Sequence, residues 1–510
     1  MPPLTSLILA FAGPSTPAFQ EPASPPNVVV LYADDLGYGD LSILNSESKI
    51  PTPHLDQLAK EGLTLRDGHS SSGICSPSRY ALLTGRYHWR DFHGIVGVYG
   101  PSKFEAERLT LPEMLQGKGY ATACIGKWHL GWDWGALRRK DVGPRTVDGR
   151  PVLGPEAFDW SQPIPDGPLA HGFDHYFGDS VINFPPYTWI EDDRVVEAPD
   201  ALMDSKTWKP LREGNWECRP GAMVTGWDPY ANLSTLTERA VAYVEGRAEQ
   251  AQPFFLYVPF PSPHAPILPS EEFTAVSKAG AYGDYVAQTD AACGAILAAL
   301  GSAGLASNTL VIFSSDNGPE HYAYARDKDL EHWSSEPFRG LKRDIYEGGH
   351  HVPFLVRWPG RIEPGSETHA LVSQVDLMAT LASIVGAELP ADAAEDSHDL
   401  LPLWLGQTEA VRSSHVHNTY ANKYAFRQGP WLLVDAKNGY TSKRNPGWEE
   451  RRGIEPDGDE LAELYHLGED PGQRQDLAAG KPERVAAMRA ELQRLRDAGF
   501  SAPRLAKRER

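Results

Sequence analysis

The sequence has no long hydrophobic run and very few cysteines. None of its apolar stretches approaches the roughly 20 residues that a membrane-spanning helix requires, so an integral membrane protein is not expected. The 510 residues contain only 4 cysteines, without a Cys-x-x-Cys pair, which argues against zinc knuckles and a disulfide scaffold. We expect Cys124 and Cys293, which lie among small apolar residues, to be buried thiols. Cys218 could be free or paired.

Basic residues are also scarce. Lys and Arg total 48 against 68 Asp and Glu, so the formal net charge is −20. A negatively charged surface repels nucleic acid and acidic lipid, so the protein is not expected to bind either over its general surface. Any anionic ligand must therefore be held by a local pocket. Hydrophobic residues (41%) and charged residues (23%) are near the averages for soluble globular chains, so we expect the chain to fold.

The N-terminus carries a short, mostly apolar stretch that suggests targeting. Residues 4–12 end in Ala-Phe-Ala, and a segment rich in Gly, Pro and Ser follows as far as Pro26. This pattern is typical of an export signal and its cleavage site, although the positively charged start is missing apart from the α-amino group. We predict a signal peptide and leader over residues 1–25 and export to the periplasm or the medium. A disordered leader is the alternative.

Strands and helices alternate through most of the chain. The predicted strands are 27–32, 121–125, 253–260, 309–313 and 352–358, and the predicted helices are 55–62, 111–119, 236–248 and 282–300. The alternation predicts an α/β fold with a large, mostly parallel sheet that is buried on both faces. Two long stretches, about 131–235 and 319–340, lack periodicity and are expected to be functional or disordered loops.

After about residue 400 the pattern changes to short strand-like pieces followed by one amphipathic helix. Apolar residues of this helix recur at helical spacing, from Val485 to Leu495, and the helix should be capped near Gly499. We therefore predict a main domain at 26–395 and a smaller α+β domain at 396–510. The basic tail at the C-terminus is expected to be solvated.

Oxygen-bearing side chains follow two of the predicted strands. Asp34 and Asp35 come after the first strand, and Asp316 and Asn317 come after the strand at 309–313. Ligands of α/β sheets bind at the carboxyl ends of the strands. Turn-forming residues are the alternative for either pair alone. Together, the two pairs predict a hard-cation site, for Ca²⁺ or Mg²⁺ rather than zinc.

Cys75 stands where a helix is expected to begin. Pro77 suits the first turn, and Arg79 lies one turn farther on the same face. Backbone N–H groups at a helix N-terminus attract anions, and such a position lowers the pKa of a thiol. The alternative is a buried cap residue. A Cys-x5-Arg phosphatase loop does not fit, because only three residues separate Cys75 from Arg79.

Three further segments carry candidate anion-binding or proton-transfer groups. If the strand at 121–125 continues in an extended form, Lys127 and His129 point to one side and Trp128 packs on the other. Prolines flank His264 and would hold it in a rigid loop. A basic cluster around Lys342 precedes the strand at 352–358. Taken singly, each segment could be structural or part of a solvated face.

Taken together, these motifs resemble those of the type I sulfatases, members of the alkaline-phosphatase-like superfamily. Residues 75–79 match the Cys/Ser-x-Pro-x-Arg signature and residues 83–86 its extension. The motifs at 34–35, 126–131, 315–318 and 340–342 match in the family's order, over about residues 26 to 390. The tail from Glu463 to Ala478 looks like the family's C-terminal domain. The resemblance implies an alkaline-phosphatase-like sandwich and a C-terminal domain with a short antiparallel sheet.

The resemblance also implies a cofactor set and a mechanism. The signature cysteine, here Cys75, would be oxidised to formylglycine by a formylglycine-generating or anaerobic sulfatase-maturating enzyme, and its hydrate would attack the sulfate ester. One Ca²⁺ ion would be bound by Asp34, Asp35, Asp316, Asn317 and the modified residue 75. His264, helped by Lys342, would protonate the leaving alcohol, and His129 would take a proton from the second hydroxyl. Arg79, Lys127 and Lys342 would balance charge.

The substrate is less well defined by the sequence. The resemblance to arylsulfatase A-like and N-acetylgalactosamine-6-sulfatase-like members implies a sulfated carbohydrate, of a short or sparsely sulfated kind because the chain is acidic. Tyr187 or Trp189 could stack on sugar rings, or they could serve loop packing. A phosphoester or phosphonate hydrolase of the same superfamily and a catalytically silent glycan-binding protein are the alternatives. His351 replaces the Arg of many relatives in a structural segment.

Overall fold

The computed structural model describes residues 25–204, 207, 213, 217–420, 422–456, 458 and 460–503. The predicted signal peptide, apart from its last residue, and the basic tail lie outside this part of the chain. None of the helices in the described part is long and apolar enough to cross a membrane.

Eighteen strands are present in the described part of the chain. They are β1 (Asn27–Ala33), β2 (Leu63–His69), β3 (Ala121–Ile125), β4 (Arg145–Val147), β5 (Arg150–Val152), β6 (His175–Gly178), β7 (Ile190–Glu191), β8 (Arg194–Val195), β9 (Ala201–Met203), β10 (Gly221–Met223), β11 (Phe254–Pro259), β12 (Thr309–Ser315), β13 (Phe354–Arg357), β14 (Ser366–Ser373), β15 (Ser414–Asn418), β16 (Tyr424–Gln428), β17 (Trp431–Asp435) and β18 (Glu463–His466).

Ten of these strands form one large, mostly parallel sheet in the order β14-β2-β13-β12-β1-β11-β3-β6-β7-β8. The central strand β1 pairs in parallel with both β11 and β12. Its side chains alternate between two cores: Val28, Val30 and Tyr32 face one, and Val29 and Leu31 face the other. Because both faces of the sheet are covered, the side chains of β1 are apolar on both faces and form a continuous apolar run in the sequence. The predicted α/β class is confirmed.

Ten helices lie in the described part of the chain, and most of them pack on the two faces of this sheet. They are α1 (Pro53–Lys60), α2 (Cys75–Thr84), α3 (Leu111–Gln116), α4 (Asn232–Gly246), α5 (Gly280–Ser302), α6 (Ala323–Leu330), α7 (Leu377–Val385), α8 (Leu401–Trp404), α9 (Pro446–Arg452) and α10 (Pro482–Ala498). The four helices predicted between strands correspond to α1, α3, α4 and α5, with ends that differ by a few residues. Helix α2 begins at Cys75, as expected.

Five strands of the large sheet were not predicted from the sequence, namely β2, β6, β7, β8 and β14, and one predicted strand runs against the majority. The strands β2 and β14 are interrupted by polar residues such as Arg66 and Glu367, which pair with each other at the partly exposed edge of the sheet. The strand β13 is antiparallel to both of its neighbours, β12 and β2. The sheet is therefore mixed rather than wholly parallel.

The C-terminal part contains the expected short antiparallel sheet. Strands β15 to β18 pair in sequence order, and α10 covers one face with Met488, Leu492 and Leu495. This core also takes in residues of the main domain, among them Ala81 of α2 and Tyr87. The boundary at 395/396 remains a prediction, since the two parts share this core.

Candidate active site

Cys75 is the first residue of α2, and its side chain is fully buried. Its Sγ atom lies 3.5 Å from Asp34 Oδ1. Burial raises the pKa of the Cys75 thiol, and the nearby Asp316 and Asp34 carboxylates raise it further. The expectation that the helix N-terminus lowers this pKa is therefore wrong, because desolvation and two anionic neighbours outweigh the helix dipole. An unmodified Cys75 is a poor source of thiolate.

The two oxygen-bearing pairs meet at one edge of the sheet. Strands β1 and β12 are in parallel register up to the pair Ala33 and Ser315, so the residues that follow them are neighbours. The Asp35 N–H donates to Asp316 Oδ1 at 3.2 Å, and Asn317 Nδ2 donates to Asp35 Oδ1 at 2.7 Å. The structure thus brings together the pairs that the sequence predicted to converge.

Three cations neutralise the three carboxylates of this cluster. Lys127 Nζ forms an ion pair with Asp34 Oδ2, Arg79 donates from Nε and Nη2 to Asp316 Oδ2 at 3.1 and 2.8 Å, and Lys342 Nζ lies 2.6 Å from Asp35 Oδ1. All six side chains are buried. With three charges of each sign the formal charge of the cluster is zero, so a dication and an anionic substrate could enter it together.

The cations also set the ionisation of the carboxylates. Burial alone would raise the pKa of Asp34, but Lys127, His264 and Arg79 together hold that pKa well below its usual range. For Asp316, burial and the Asp34 charge dominate and raise the pKa. The pKa values of Asp34 and Asp316 shift in opposite directions because the two neighbouring carboxylates repel each other and the cations screen only part of this repulsion.

Each of the two predicted histidines has one nitrogen fixed by a backbone carbonyl. His129 Nε2 lies 3.1 Å from the Val96 carbonyl, so Nε2 carries the proton of the neutral ring and Nδ1 bears the lone pair. His264 Nδ1 contacts the Ala265 carbonyl, and its Nε2 lies 3.8 Å from Asp35 Oδ2. Burial lowers the pKa of His264 to about 4, with Lys342 as the second cause. Burial, Lys127 and Arg79 lower that of His129 well below its ordinary value.

The chain does not continue in an extended form through His129, so the condition for placing Lys127 and His129 on one side is not met. The strand β3 ends at Ile125, and Gly126 and His129 have φ angles of 139° and 54°. Lys127 nevertheless reaches the carboxylates, and Trp128 packs into the core as expected. Glycine is required at position 126 because its φ angle is one that L side chains rarely adopt and because a Cβ there would clash with the Pro259 carbonyl.

The residues of the cluster fit a hard cation. Asn317 Oδ1 is buried and accepts no hydrogen bond from any described residue. Ligand atoms of Asp34, Asp35, Cys75 and His264 lie within 4.8 Å of one another. A buried acceptor without a donor, next to several carboxylate oxygens, suits a Ca²⁺ ion better than it suits a protein donor.

Sequence reasoning missed a buried carboxyl group behind Lys127. Asp179 directly follows β6, and its Oδ2 accepts from Asn232 Nδ2 at 2.8 Å. Burial raises the pKa of Asp179 to about 6. Its position after a strand of the same sheet is the signal that could have identified it, as for Asp34 and Asp316. It was missed because β6 is only four residues long.

The aromatic residues proposed for sugar stacking serve loop packing instead. Tyr187 is buried, and its hydroxyl lies 2.7 Å from the Arg219 carbonyl. Trp189 packs against Phe177 and Trp227, with ring centroids 5.1 and 5.0 Å apart. Stacking of a substrate on Tyr187 is therefore wrong, because no face of the ring is open.

Phe184 is an aromatic residue of the 183–191 loop that lies next to His129. Its ring centroid lies 5.6 Å from that of His129 in an edge-to-face arrangement. The Arg219 guanidinium lies 4.1 Å from the Phe184 centroid. The Phe184 ring therefore lies beside His129, and the Arg219 guanidinium lies beside that ring.

The remaining thiols and the substituted histidine lie outside this cluster. Cys124, Cys218 and Cys293 are buried and free, as expected for Cys124 and Cys293. His351 Nδ1 lies 2.9 Å from Glu347 Oε2, and its Nε2 lies 2.8 Å from the Arg66 carbonyl. His351 therefore belongs to a structural ion-pair network, as the sequence indicated.

Comparison with known proteins agrees with this geometry. The family model described as "Sulfatase" matches residues 26–387. The chain is 31% identical over 482 residues to an N-acetylgalactosamine-6-O-sulfatase of Bacteroides thetaiotaomicron, covering 90% of this chain and 91% of that protein. It is 33% identical over 514 residues to human arylsulfatase A, covering 96% and 90%. A solved structure from the glycosaminoglycan metabolism of B. thetaiotaomicron superposes with a TM-score of 0.76 at 28% identity, covering 93% of this chain and all of that one.

Proposed function

The chain belongs to the sulfatase family, and we propose that it removes sulfate from a carbohydrate by means of a formylglycine at position 75 and one Ca²⁺ ion. The convergence on Cys75 of a balanced set of buried carboxylates and cations carries this proposal. The raised pKa of the thiol supports it, because an unmodified Cys75 would be a weak nucleophile at neutral pH.

Residues of this chain would hold both groups. Asp34, Asp35, Asp316 and Asn317 offer oxygens to Ca²⁺, and the ion would supply positive charge against the sulfate and the nucleophile. Residue 75, once oxidised and hydrated, would supply the hydroxyl oxygen that attacks sulfur. A maturation enzyme, either formylglycine-generating or of the anaerobic sulfatase-maturating kind, is therefore an obligatory partner.

The side chains around residue 75 divide the remaining work. Arg79, Lys127 and Lys342 would hold the sulfate oxygens in a site from which water is excluded, where fixed cations act most strongly. His264 would give a proton to the leaving alcohol from Nε2 in its doubly protonated form, which the bound sulfate anion would favour, while Nδ1–H stays on the Ala265 carbonyl. His129 would accept a proton at Nδ1, because Nε2 is occupied by the Val96 carbonyl. Positioned acids and bases of this kind contribute about 10²–10⁴-fold each.

We propose 6-O-sulfated galactose or N-acetylgalactosamine as the substrate type. The similarity to N-acetylgalactosamine-6-sulfatases over about nine-tenths of the chain supports this choice. Phe184 and Arg219 beside His129 would contact the sugar. We also propose export to the periplasm or the medium, in agreement with the sequence of residues 1–25.

The proposal is tested by kinetics on matched esters with matured enzyme. We expect kcat/KM for 6-sulfated N-acetylgalactosamine to exceed that for the 4-sulfated isomer, and nitrophenyl sulfate to be hydrolysed much faster than nitrophenyl phosphate. A preference for phosphate would favour the phosphohydrolase alternative. Binding of the sulfated sugar without release of sulfate would favour a silent glycan-binding protein.

A further inference from the structure

A second cluster of buried histidines lies between the main sheet and the C-terminal sheet. His415 and His417 stand on the same face of β15, with Val416 turned into the C-terminal core. His350 comes from the segment before β13, and all three side chains are at most 2% exposed. One nitrogen from each of these imidazoles lies within 4.8 Å of one from each of the others.

Each of these three histidines has one nitrogen without a hydrogen-bond partner in the described part of the chain. These atoms are His350 Nε2, His415 Nε2 and His417 Nδ1. Buried imidazole nitrogens are normally paired with a protein group, water or a metal ion. Three such atoms in one cluster therefore point to a ligand that accepts lone pairs.

The opposite nitrogen of His350 faces a group that fixes a suitable tautomer. His69 Nε2 lies 2.7 Å from Asp67 Oδ1, so Nε2 carries the proton of a neutral His69 and its Nδ1 is an acceptor. His69 Nδ1 lies 3.0 Å from His350 Nδ1, which must therefore be the donor. The lone pair of His350 is then on Nε2. A carboxylate that orients an imidazole in this way is typical of the surroundings of metal ligands.

The two histidines of β15 have comparable partners. The Tyr87 hydroxyl lies 3.1 Å from His415 Nδ1 and can accept its proton, and the Thr419 hydroxyl lies 3.5 Å from His417 Nε2. Metal binding at His415 Nε2 and His417 Nδ1 requires the tautomers in which these two hydroxyls accept the protons of the opposite nitrogens. Arg412 Nη1, which can only donate, lies 3.4 Å from His415 Nδ1 and favours the other tautomer of that ring in the metal-free protein, so coordination at Nε2 would shift the proton to Nδ1. Asp376 lies 3.4 Å from the same guanidinium.

Binding of a shared ion would require a change in the arrangement of the rings. The rings of His350 and His417 are stacked, with centroids 3.5 Å apart. Because a bound ion lies close to the plane of each imidazole that binds it, one of these two rings would have to adopt another rotamer to share the ion.

We propose that His350, His415 and His417 form a structural site for a late first-row transition-metal ion, with Zn²⁺ as the reference ion. Imidazole is a preferred ligand of zinc, copper and nickel, whereas Ca²⁺ requires oxygens. The site links β15 to the segment before Cys75: the Asn418 N–H donates to the Ser71 carbonyl at 3.4 Å, and the Ser70 N–H donates to the His350 carbonyl at 2.9 Å. The bound ion would stabilise the packing of the C-terminal sheet on this segment.

Metal content tests the site directly. Full-length protein with a histidine-free tag is loaded with Zn²⁺, desalted and analysed by plasma mass spectrometry, in a Cys75→Ala background that weakens zinc binding at the active site. We expect the His415→Leu/His417→Leu variant to lose about one Zn²⁺ per chain relative to its parent. The matched control is His369→Leu, which alters an exposed histidine of β14 and should lose none. Equal zinc content in all three proteins would overturn the proposal.

A spectroscopic test applies if the double variant does not fold. The same Cys75→Ala protein is loaded with Co²⁺, whose low-coordinate imidazole complexes absorb visible light. We expect a visible absorption band that one equivalent of Zn²⁺ abolishes. Absence of the band, or a band that excess Zn²⁺ leaves unchanged, would contradict the site. Neither outcome depends on sulfatase activity.

Discussion

The charged cluster around Cys75 and the histidine cluster around His350 are both buried, yet they avoid unpaired charge in opposite ways. At Cys75, three carboxylates and three cations of opposite formal charge form close ion pairs. Around His350, the imidazoles are neutral because burial lowers their pKa values. The first arrangement provides strong fields for catalysis, and the second provides lone pairs. Four changes test this contrast, from the largest expected effect to the smallest.

Replacing the residue at the centre of the charged cluster should have the largest effect. We expect Cys75→Ala to lower kcat for sulfate esters by about 10⁴-fold or more, because the nucleophile is lost. The melting temperature should change little, since the ion pairs do not need the sulfur. The control is Cys293→Ala, a buried thiol on α5, which should retain activity. Loss of the fold in Cys75→Ala would instead make Cys75 a structural residue.

Removing one uncharged oxygen from the charged cluster should weaken metal binding without upsetting its charge balance. We expect Asn317→Ala to lower Ca²⁺ affinity by about 10- to 100-fold, because Oδ1 is the buried acceptor without a protein donor. Calorimetric titration of chelator-treated enzyme with Ca²⁺ measures this change. Asn232→Ala, which alters a buried amide on α4, is the control. Unchanged affinity in Asn317→Ala would exclude Asn317 as a ligand.

Acid should destabilise the protein through the neutral histidines. Burial lowers the pKa values of His88 and His350 to about 3, so these rings are protonated in the unfolded chain below about pH 6.5 but not in the native one. Their contribution is complete above about pH 6.5 and is lost as the pH falls toward 3. Each should lower the free energy of unfolding by about 1.4 kcal/mol per pH unit in that window.

Urea unfolding of metal-free protein at several pH values measures this dependence. In His88→Gln the slope of the unfolding free energy against pH should be smaller than in the parent by about 1.4 kcal/mol per pH unit, the contribution of one histidine. An identical slope in parent and variant would contradict a neutral, buried His88 in the native state.

A residue beside the charged cluster should have the smallest effect. We expect Phe184→Ala to raise KM for the sulfated sugar by a few-fold to about tenfold, the loss of one aromatic contact, with little change in kcat. Steady-state kinetics measures both constants. Tyr187→Phe is the control, because its hydroxyl serves only loop packing. A large fall in kcat for Phe184→Ala would mean that the ring positions His129.

The sequence predicted the charged cluster better than the histidine cluster for a physical reason. Asp34 and Asp316 follow parallel strands, and such strand ends meet at one edge whatever the loops do. His415 and His417 alternate on β15, but their role depends on the docking of that strand against His350, which local patterning does not encode. The backbone turn at His129 and the packing of Tyr187 likewise depend on long-range contacts, with the Val96 and Arg219 carbonyls.

The central claim is that residue 75 becomes the nucleophile of a sulfatase, and the mass of the peptide containing residue 75 tests it most directly. Protein from a host that has a maturation enzyme should give the aldehyde mass at this residue, and the aldehyde fraction should rise in proportion to kcat for sulfate release. Full activity in protein that carries only the plain thiol at residue 75 would contradict the account.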